Sequence, residues 1–169
     1  MASPPAYERY QKLALIGSGG MAEVFLGVQL GDEAFHQLVV IKRIRPDFLG
    51  QAQAQRMFVD EARTVAKLSH PNIVRIHDLR ALDDGLCIAM EYVDGESLSA
   101  LLRVLAQRGE RLPCPIACRL MVQACDALHA AHTAVDSQGL PLGLVHRDVS
   151  PNNLMLDRSG FLKVIDFGI

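Results

Sequence analysis

Residues 38 to 44 read LVVIKRI, an apolar, β-branched run with one lysine, Lys42, inside it. Such a run is a strand that packs on at least one face. Strand alternation puts Val40 and Ile44 on the same face as Lys42. An ammonium group on an apolar inner face needs a charged partner, so another element must bring a carboxylate to this strand. Glu61 is the candidate. From Ala52 to Leu68 the apolar residues Phe58, Ala62, Val65 and Leu68 recur at helical spacing, and Glu61 borders that stripe. The alternative is a lysine that simply faces outward.

The flanking chain extends this pattern. YQKLALIG alternates and runs into GSGG, and EVFLGVQL reads as the returning strand. SHPN closes the helix over 52–68, because Pro71 cannot continue it. IVRIHDLRALDDGLCIAMEYV reads as two strands joined by a turn at Asp83-Asp84-Gly85. DGESL is a connector carrying an N-cap candidate, Ser97, ahead of a helix over 98–108. A longer helix spans about 115–134, with Pro115 in its first turn. DSQGLPLG is loop by composition, and NLML and FLKVI are short strands around the turn DRSG. The fold class is therefore α+β: a mostly β half with one helix, then a mostly helical half.

Composition narrows the function classes. Half the residues are apolar, 21% are charged and the net charge is −2, which suits a globular domain and provides no basic surface for nucleic acid. The N-terminus MASPPAYERY lacks the apolar core of a signal peptide. No run approaches the roughly 18 apolar residues of a spanning helix. The four cysteines form no CxxC pair, and Cys118 and Cys125 stand seven apart on one helical face. They read as small buried thiols in a reducing compartment, so a cytoplasmic location is expected.

Three groups of residues bear on chemistry. Gly17, Gly19 and Gly20 lie between two strands, where the absent side chains let backbone N–H groups approach a phosphate. A glycine turn in a plain hairpin is the commoner explanation of such residues taken alone. The element after these glycines is a strand, which excludes a Rossmann fingerprint, and the Gly-Lys-Ser/Thr ending of a Walker loop is missing. Lys42 and Glu61 are the second group. Asp148, Asn153 and Asp166 are the third: two carboxylates and an amide oxygen suit a hard cation such as Mg2+. Each taken singly is also an ordinary turn or cap residue.

In chain order, GSGGMAEVF, VVIK, a helix with Glu61, HPNIV, MEYV, HRDVSPNN and DFG resemble the protein kinase family from about Tyr10 to Ile169. The forms GSGGMAEVF and HRDVSP are similar to bacterial serine/threonine kinases, and HTAVDSQGLPLG before LVHRD is similar to an insertion of myxobacterial members. The resemblance implies a tail over 1–9, an N-lobe over 10–93 and the first part of a C-lobe over 94–169. It implies ATP and Mg2+ as cofactors and a protein substrate phosphorylated on Ser or Thr.

It also implies roles for single residues. Ile16, Gly17, Ser18, Gly19, Gly20 and Val24 cover the nucleotide, Val40 roofs the adenine pocket and Met155 floors it. Met90 is the gatekeeper, and the backbones of Glu91 and Val93 meet the adenine edge. Lys42 holds the α- and β-phosphates and Glu61 holds Lys42. Asp148 orients the substrate hydroxyl and accepts its proton, while Asn153 and Asp166 bind Mg2+.

Three positions depart from the family pattern. Ala22 replaces the third glycine of the loop, and Val40 replaces the alanine of VAIK. Ser150 stands two after Asp148, where most serine/threonine kinases carry a lysine on the γ-phosphate; Asn152 offers no cation either. The matched pattern stops after Asp166-Phe167-Gly168, so the sequence reads as the N-terminal part of a longer kinase. It is expected to be complete for nucleotide contacts and incomplete as a catalyst, with the 115–134 helix packing on later helices. Two other readings share the pattern: an inert nucleotide-binding pseudokinase, and a small-molecule kinase of related fold. The latter group favours a small residue where Arg147 stands and lacks a match to HPNIV.

Overall fold

The computed structural model describes residues 9–31, 36–82 and 85–167. They fall into two compact units: residues up to Arg63 with Ile76–Tyr92, and Thr64–Arg75 with the residues from Val93 onward. Among the described residues no helix is long and apolar enough to cross a membrane.

The first unit is a five-stranded antiparallel sheet with one helix. Its strands are β1 (Tyr10–Gly19), β2 (Ala22–Leu30), β3 (His36–Ile44), β4 (Ile76–Leu82) and β5 (Gly85–Glu91), in spatial order β1-β2-β3-β5-β4. Helix α1 (Ala52–Val65) follows β3 after a 3-10 turn at Pro46–Phe48. The expected alternation holds. Paired residues share a face, so the register sets Gly17, Val24, Lys42, Ile88 and Leu79 in one row across the sheet, with Leu26, Val40 and Met90 in the next.

Ile44 and Ile88 on that face bury against Ala54, Phe58 and Ala62 of α1. The opposite face buries Val39, Ile41 and Cys87 under Tyr10, Phe25 and Leu82. Gly85, at the start of β5, has φ +126, a conformation that only glycine adopts without strain. Asp83 and Asp84, the rest of the expected turn, lie outside the described residues.

Helix α1 ends at Val65, three residues earlier than its apolar pattern suggests. Lys67 N–H donates to Thr64 and Leu68 N–H to Val65, so the chain tightens into 3-10 geometry on its way to Pro71. Leu68 is nonetheless buried.

The second unit holds β6 (Gly95–Ser97), α2 (Leu98–Gln107), α3 (Cys114–His132), β7 (Leu154–Asp157) and β8 (Leu162–Val164). The three strands form an antiparallel sheet in the order β6-β7-β8. The connector DGESL thus contains a strand. Gly95 explains it: a Cβ there would collide with the Leu156 carbonyl, and its absence lets β6 lie against β7. Ser97 Oγ accepts from Ala100 N–H at 3.1 Å and caps α2, as its position predicts.

Helix α3 buries Leu120, Ala124, Ala127 and Ala131. Ile116, in its first turn, and Met121 and Val122 are exposed. The cysteines depart from expectation. Cys87 is buried, but Cys114, Cys118 and Cys125 are exposed free thiols, because they lie off the face that α3 buries. DSQGLPLG, read as loop, is a tight excursion closed by a bridge between Val135 and Pro141. Asp136 Oδ1 accepts from the N–H groups of Gln138 and Leu140.

Candidate functional site

In the first unit, β1 and β2 are joined through Gly20 and Met21, just after the paired Gly19, and Gly20 has φ +33. A Cβ at Gly17 would touch only Val24, and at Gly19 or Gly20 would meet nothing within 4 Å. Packing within the unit therefore does not demand Gly17 or Gly19. Ile16 is half exposed, and Val24 lies beside Gly17 in register.

Lys42 Nζ lies 2.8 Å from Glu61 Oε1, with side-chain exposures of 15% and 16%. The sequence explains the meeting. Apolar neighbours keep the Lys42 face of β3 inward, and buried Phe58 and Ala62 turn the Glu61 side of α1 toward that face. Val40 and Met90 are directly paired across β3 and β5. Glu91 ends β5 and is half-buried.

In the second unit the chemistry-bearing residues are stitched through backbone. His146 is only 1% exposed, its ring centroid 4.6 Å from that of Phe167. Its Nε2 lies 2.9 Å from the Ile165 carbonyl, and its Nδ1 accepts from Asp148 N–H at 3.3 Å. The tautomer protonated on Nε2 satisfies both contacts. Asn153 Nδ2 donates to the Asp148 carbonyl at 2.9 Å and to Asp148 Oδ2 at 2.8 Å. The Asn153 carbonyl accepts from Ile165 N–H at 3.0 Å. Asp148 and Asn153 are thus in direct contact, and both are tied to the residue that precedes Asp166.

This network holds two strained residues. Arg147 has φ +63 and Asp166 φ +52, the two non-glycine residues with positive φ among those described. Such conformations cost about 1–3 kcal/mol each and persist where surrounding bonds fix them. The His146 and Asn153 contacts to Ile165 and Asp148 supply that fixing. Met155 lies in β7, paired with Ser97 and Lys163, and Val93 is buried. Ser150 precedes a 3-10 turn at Pro151–Asn153 and makes no capping bond. Gly168 lies outside the described residues.

A second network reinforces β8. Asn72 Nδ2 donates to Leu162 O at 2.7 Å and to Gln123 Oε1 at 3.0 Å, and Gln123 Oε1 also accepts from Leu162 N–H at 3.0 Å. Val164 N–H donates to Asn72 O, and Val74 N–H to Val164 O. These bonds cover the strand edge that leads into Asp166. The roles of His146, Asn72 and Gln123 are not visible in sequence pattern. A polar residue among the apolar positions of α3 was the available signal for Gln123.

Among the described residues no three His, Cys, Asp or Glu side chains converge as a metal-binding group. A cation held by Asn153 and Asp166 would rely on an amide oxygen. The donor set fits. With Asn153 Nδ2 committed to Asp148, Oδ1 is the amide atom left to face a cation.

The chain belongs to the protein kinase family: the protein kinase domain model matches residues 10–169. It is 43% identical over 163 residues to the tyrosine-protein kinase MasK of Myxococcus xanthus, covering 96% of this chain and 25% of that protein. It is 39% identical over 161 residues to the serine/threonine-protein kinase PrkC of Bacillus subtilis, covering 95% and 22%. Among solved structures, the kinase domain of Mycobacterium tuberculosis PknI superposes with a TM-score of 0.71 at 30% identity, covering 100% of this chain and 63% of that one. The chain spans about a quarter of the length of these curated relatives.

Proposed function

We propose that this chain carries the nucleotide-handling and catalytic-loop part of a cytoplasmic, ATP- and Mg2+-dependent kinase that phosphorylates Ser or Thr of proteins. The observation that carries the reading is the 2.8 Å ion pair between Lys42 and Glu61. An ammonium held on an apolar sheet face, in one row with Gly17 and Val24, supports a role toward phosphate oxygens rather than in stabilising the sheet.

In this reading, Lys42 neutralises the α- and β-phosphates and Glu61 fixes its rotamer. Ile16, Gly17, Ser18, Gly19, Gly20 and Val24 cover the nucleotide. Val40 and Met155 bracket the adenine, Met90 limits the depth of its pocket, and Glu91 and Val93 offer backbone groups to its edge. Asp148 orients the substrate hydroxyl and takes its proton, with Asn153 Nδ2 holding one of its carboxylate oxygens. Asn153 and Asp166 hold Mg2+, which supplies charge neutralisation on the phosphates. Phosphoryl transfer asks mainly for such positioning and charge placement.

An inert nucleotide-binding role is less favoured, because Lys42, Asp148, Asn153 and Asp166 are all present. A small-molecule kinase is disfavoured by Arg147 and by the HPNIV segment, whose Asn72 is built into the β8 edge. The acceptor hydroxyl is the open choice among relatives, since MasK is named a tyrosine kinase and PrkC a serine/threonine kinase. Calorimetric titration of the full-length protein with ATP tests the nucleotide assignment. Saturable binding that requires Mg2+ and weakens in Asp166→Ala is expected; binding indifferent to both would remove the cation role.

A further inference from the structure

Cys114 and Cys118 occupy the first and fifth positions of α3, and both are exposed free thiols. Their sulfur atoms lie 4.0 Å apart. Neither belongs to the networks that hold Asp148 and Asp166. We propose that the two form a dithiolate chelating site for a thiophilic d10 cation of the Zn2+ class.

The spacing distinguishes this from a disulfide pair. Residues four apart on a helix keep their Cβ atoms about 5–6 Å apart, whereas a disulfide needs about 3.5–4.5 Å. Closing the bond would therefore deform the first turn of α3. Zn–S bonds of about 2.3 Å at a tetrahedral angle place two sulfurs about 3.8 Å apart. The observed 4.0 Å meets that within small side-chain movements, and the helix stays intact. Thiolates select soft or borderline cations over Mg2+ and Ca2+, so the site does not compete for the ion assigned to Asn153 and Asp166.

Binding exchanges two S–H bonds for two S–metal bonds. Both protons pass to solvent, four of the six waters of the aqua cation leave as its coordination falls to four, and no electrons are transferred. Water fills the remaining positions, because no third His, Cys, Asp or Glu converges among the described residues. Cys125 is also exposed, but lies about 10 Å further along the helix axis. It serves as the internal control.

The test uses reduced full-length protein, titrated with Cd2+ while its ultraviolet sulfur-to-cadmium absorption is followed, and with Zn2+ against a chromophoric chelator. One equivalent per chain is expected. Cys114→Ser and Cys118→Ser should each abolish the absorption band and weaken Zn2+ binding by at least about tenfold, a loss that even outer partners of metal ligands produce. Cys125→Ser should bind as the unaltered protein does, and all three variants should keep their helical circular dichroism and phosphoryl-transfer activity. An undiminished band in both Cys114→Ser and Cys118→Ser would overturn the proposal. So would native full-length protein in which the two thiols resist alkylation.

Discussion

Asn153 Nδ2 lies 2.8 Å from Asp148 Oδ2, so one side chain of the loop from His146 to Asn153 holds another in place. The same amide reaches the Asp148 carbonyl, and the Asn153 backbone holds Ile165. The carboxylate proposed as base is therefore positioned by the residue proposed to hold Mg2+. Asp148→Asn in the full-length protein should lower turnover by at least about a hundredfold, the contribution of a positioned acid–base group. ATP affinity should barely change. A parallel fall in ATP affinity would make Asp148 a structural or metal-holding residue instead.

Loss of the Glu61 carboxylate should act through Lys42. Glu61→Gln removes a charge-assisted bond, of a kind contributing about 1.5–3 kcal/mol. Phosphoryl transfer should drop roughly tenfold to a hundredfold. Lys42→Met should abolish transfer while thermal melting still shows a cooperative transition. Activity of Lys42→Met equal to the parent would remove Lys42 from its role.

His146 should matter through backbone strain rather than contact with substrate. His146→Phe keeps the ring against Phe167 but deletes the bond to the Ile165 carbonyl. Ile165 then keeps only its bond to the Asn153 carbonyl, which loosens Asp166 in its positive φ, so the Mg2+ concentration for half-maximal activity should rise several-fold, as expected for about 1 kcal/mol. An unchanged Mg2+ dependence at lowered turnover would separate His146 from Asp166.

Much of this was legible in the chain. The Lys42–Glu61 pair follows from β3 alternation and the α1 stripe, both local periodicities. The strands, both long helices and the Ser97 cap follow from similar patterns. The His146 link to Ile165 does not, since it joins a side chain to a backbone carbonyl 19 residues away. Strand β6 was hidden because its cause is space, the room left by Gly95 beside Leu156. The cysteines of α3 misled because apolar character predicts burial only on the face a neighbour covers. That face belongs to Leu120, Ala124, Ala127 and Ala131.

Ser150 should tolerate change. It makes no capping bond, and a neutral hydroxyl cannot replace the charge of a lysine. Ser150→Ala should cost well under about 1 kcal/mol in transfer rate, and Ser150→Lys should remain active. A Ser150→Lys protein that folds and binds ATP but transfers nothing would reveal a differently arranged phosphate site.

Asp136 provides a pH test away from Asp148 and Asn153. Backbone N–H groups of Leu140 and Gln138 hold its carboxyl below the ordinary carboxylate value. A depressed folded value means the contribution is complete above the unfolded value, about 3.9, and fades as pH falls through the lower folded one. Carboxyl NMR should show its midpoint below that of an unfolded aspartate, and the Val135–Pro141 bridge should open only in strong acid. A midpoint at the ordinary value would mean the two N–H bonds do not persist in solution.

The most direct test of the account is transfer from γ-labelled ATP to a generic protein substrate by the full-length protein, with Lys42→Met and Asp148→Asn alongside, followed by phosphoamino-acid analysis. The account predicts Mg2+-dependent label on serine or threonine, absent in Lys42→Met and reduced at least about a hundredfold in Asp148→Asn. Label on tyrosine alone would contradict the acceptor assignment. Saturable ATP binding with no transfer from the unaltered protein would contradict the central claim of kinase activity.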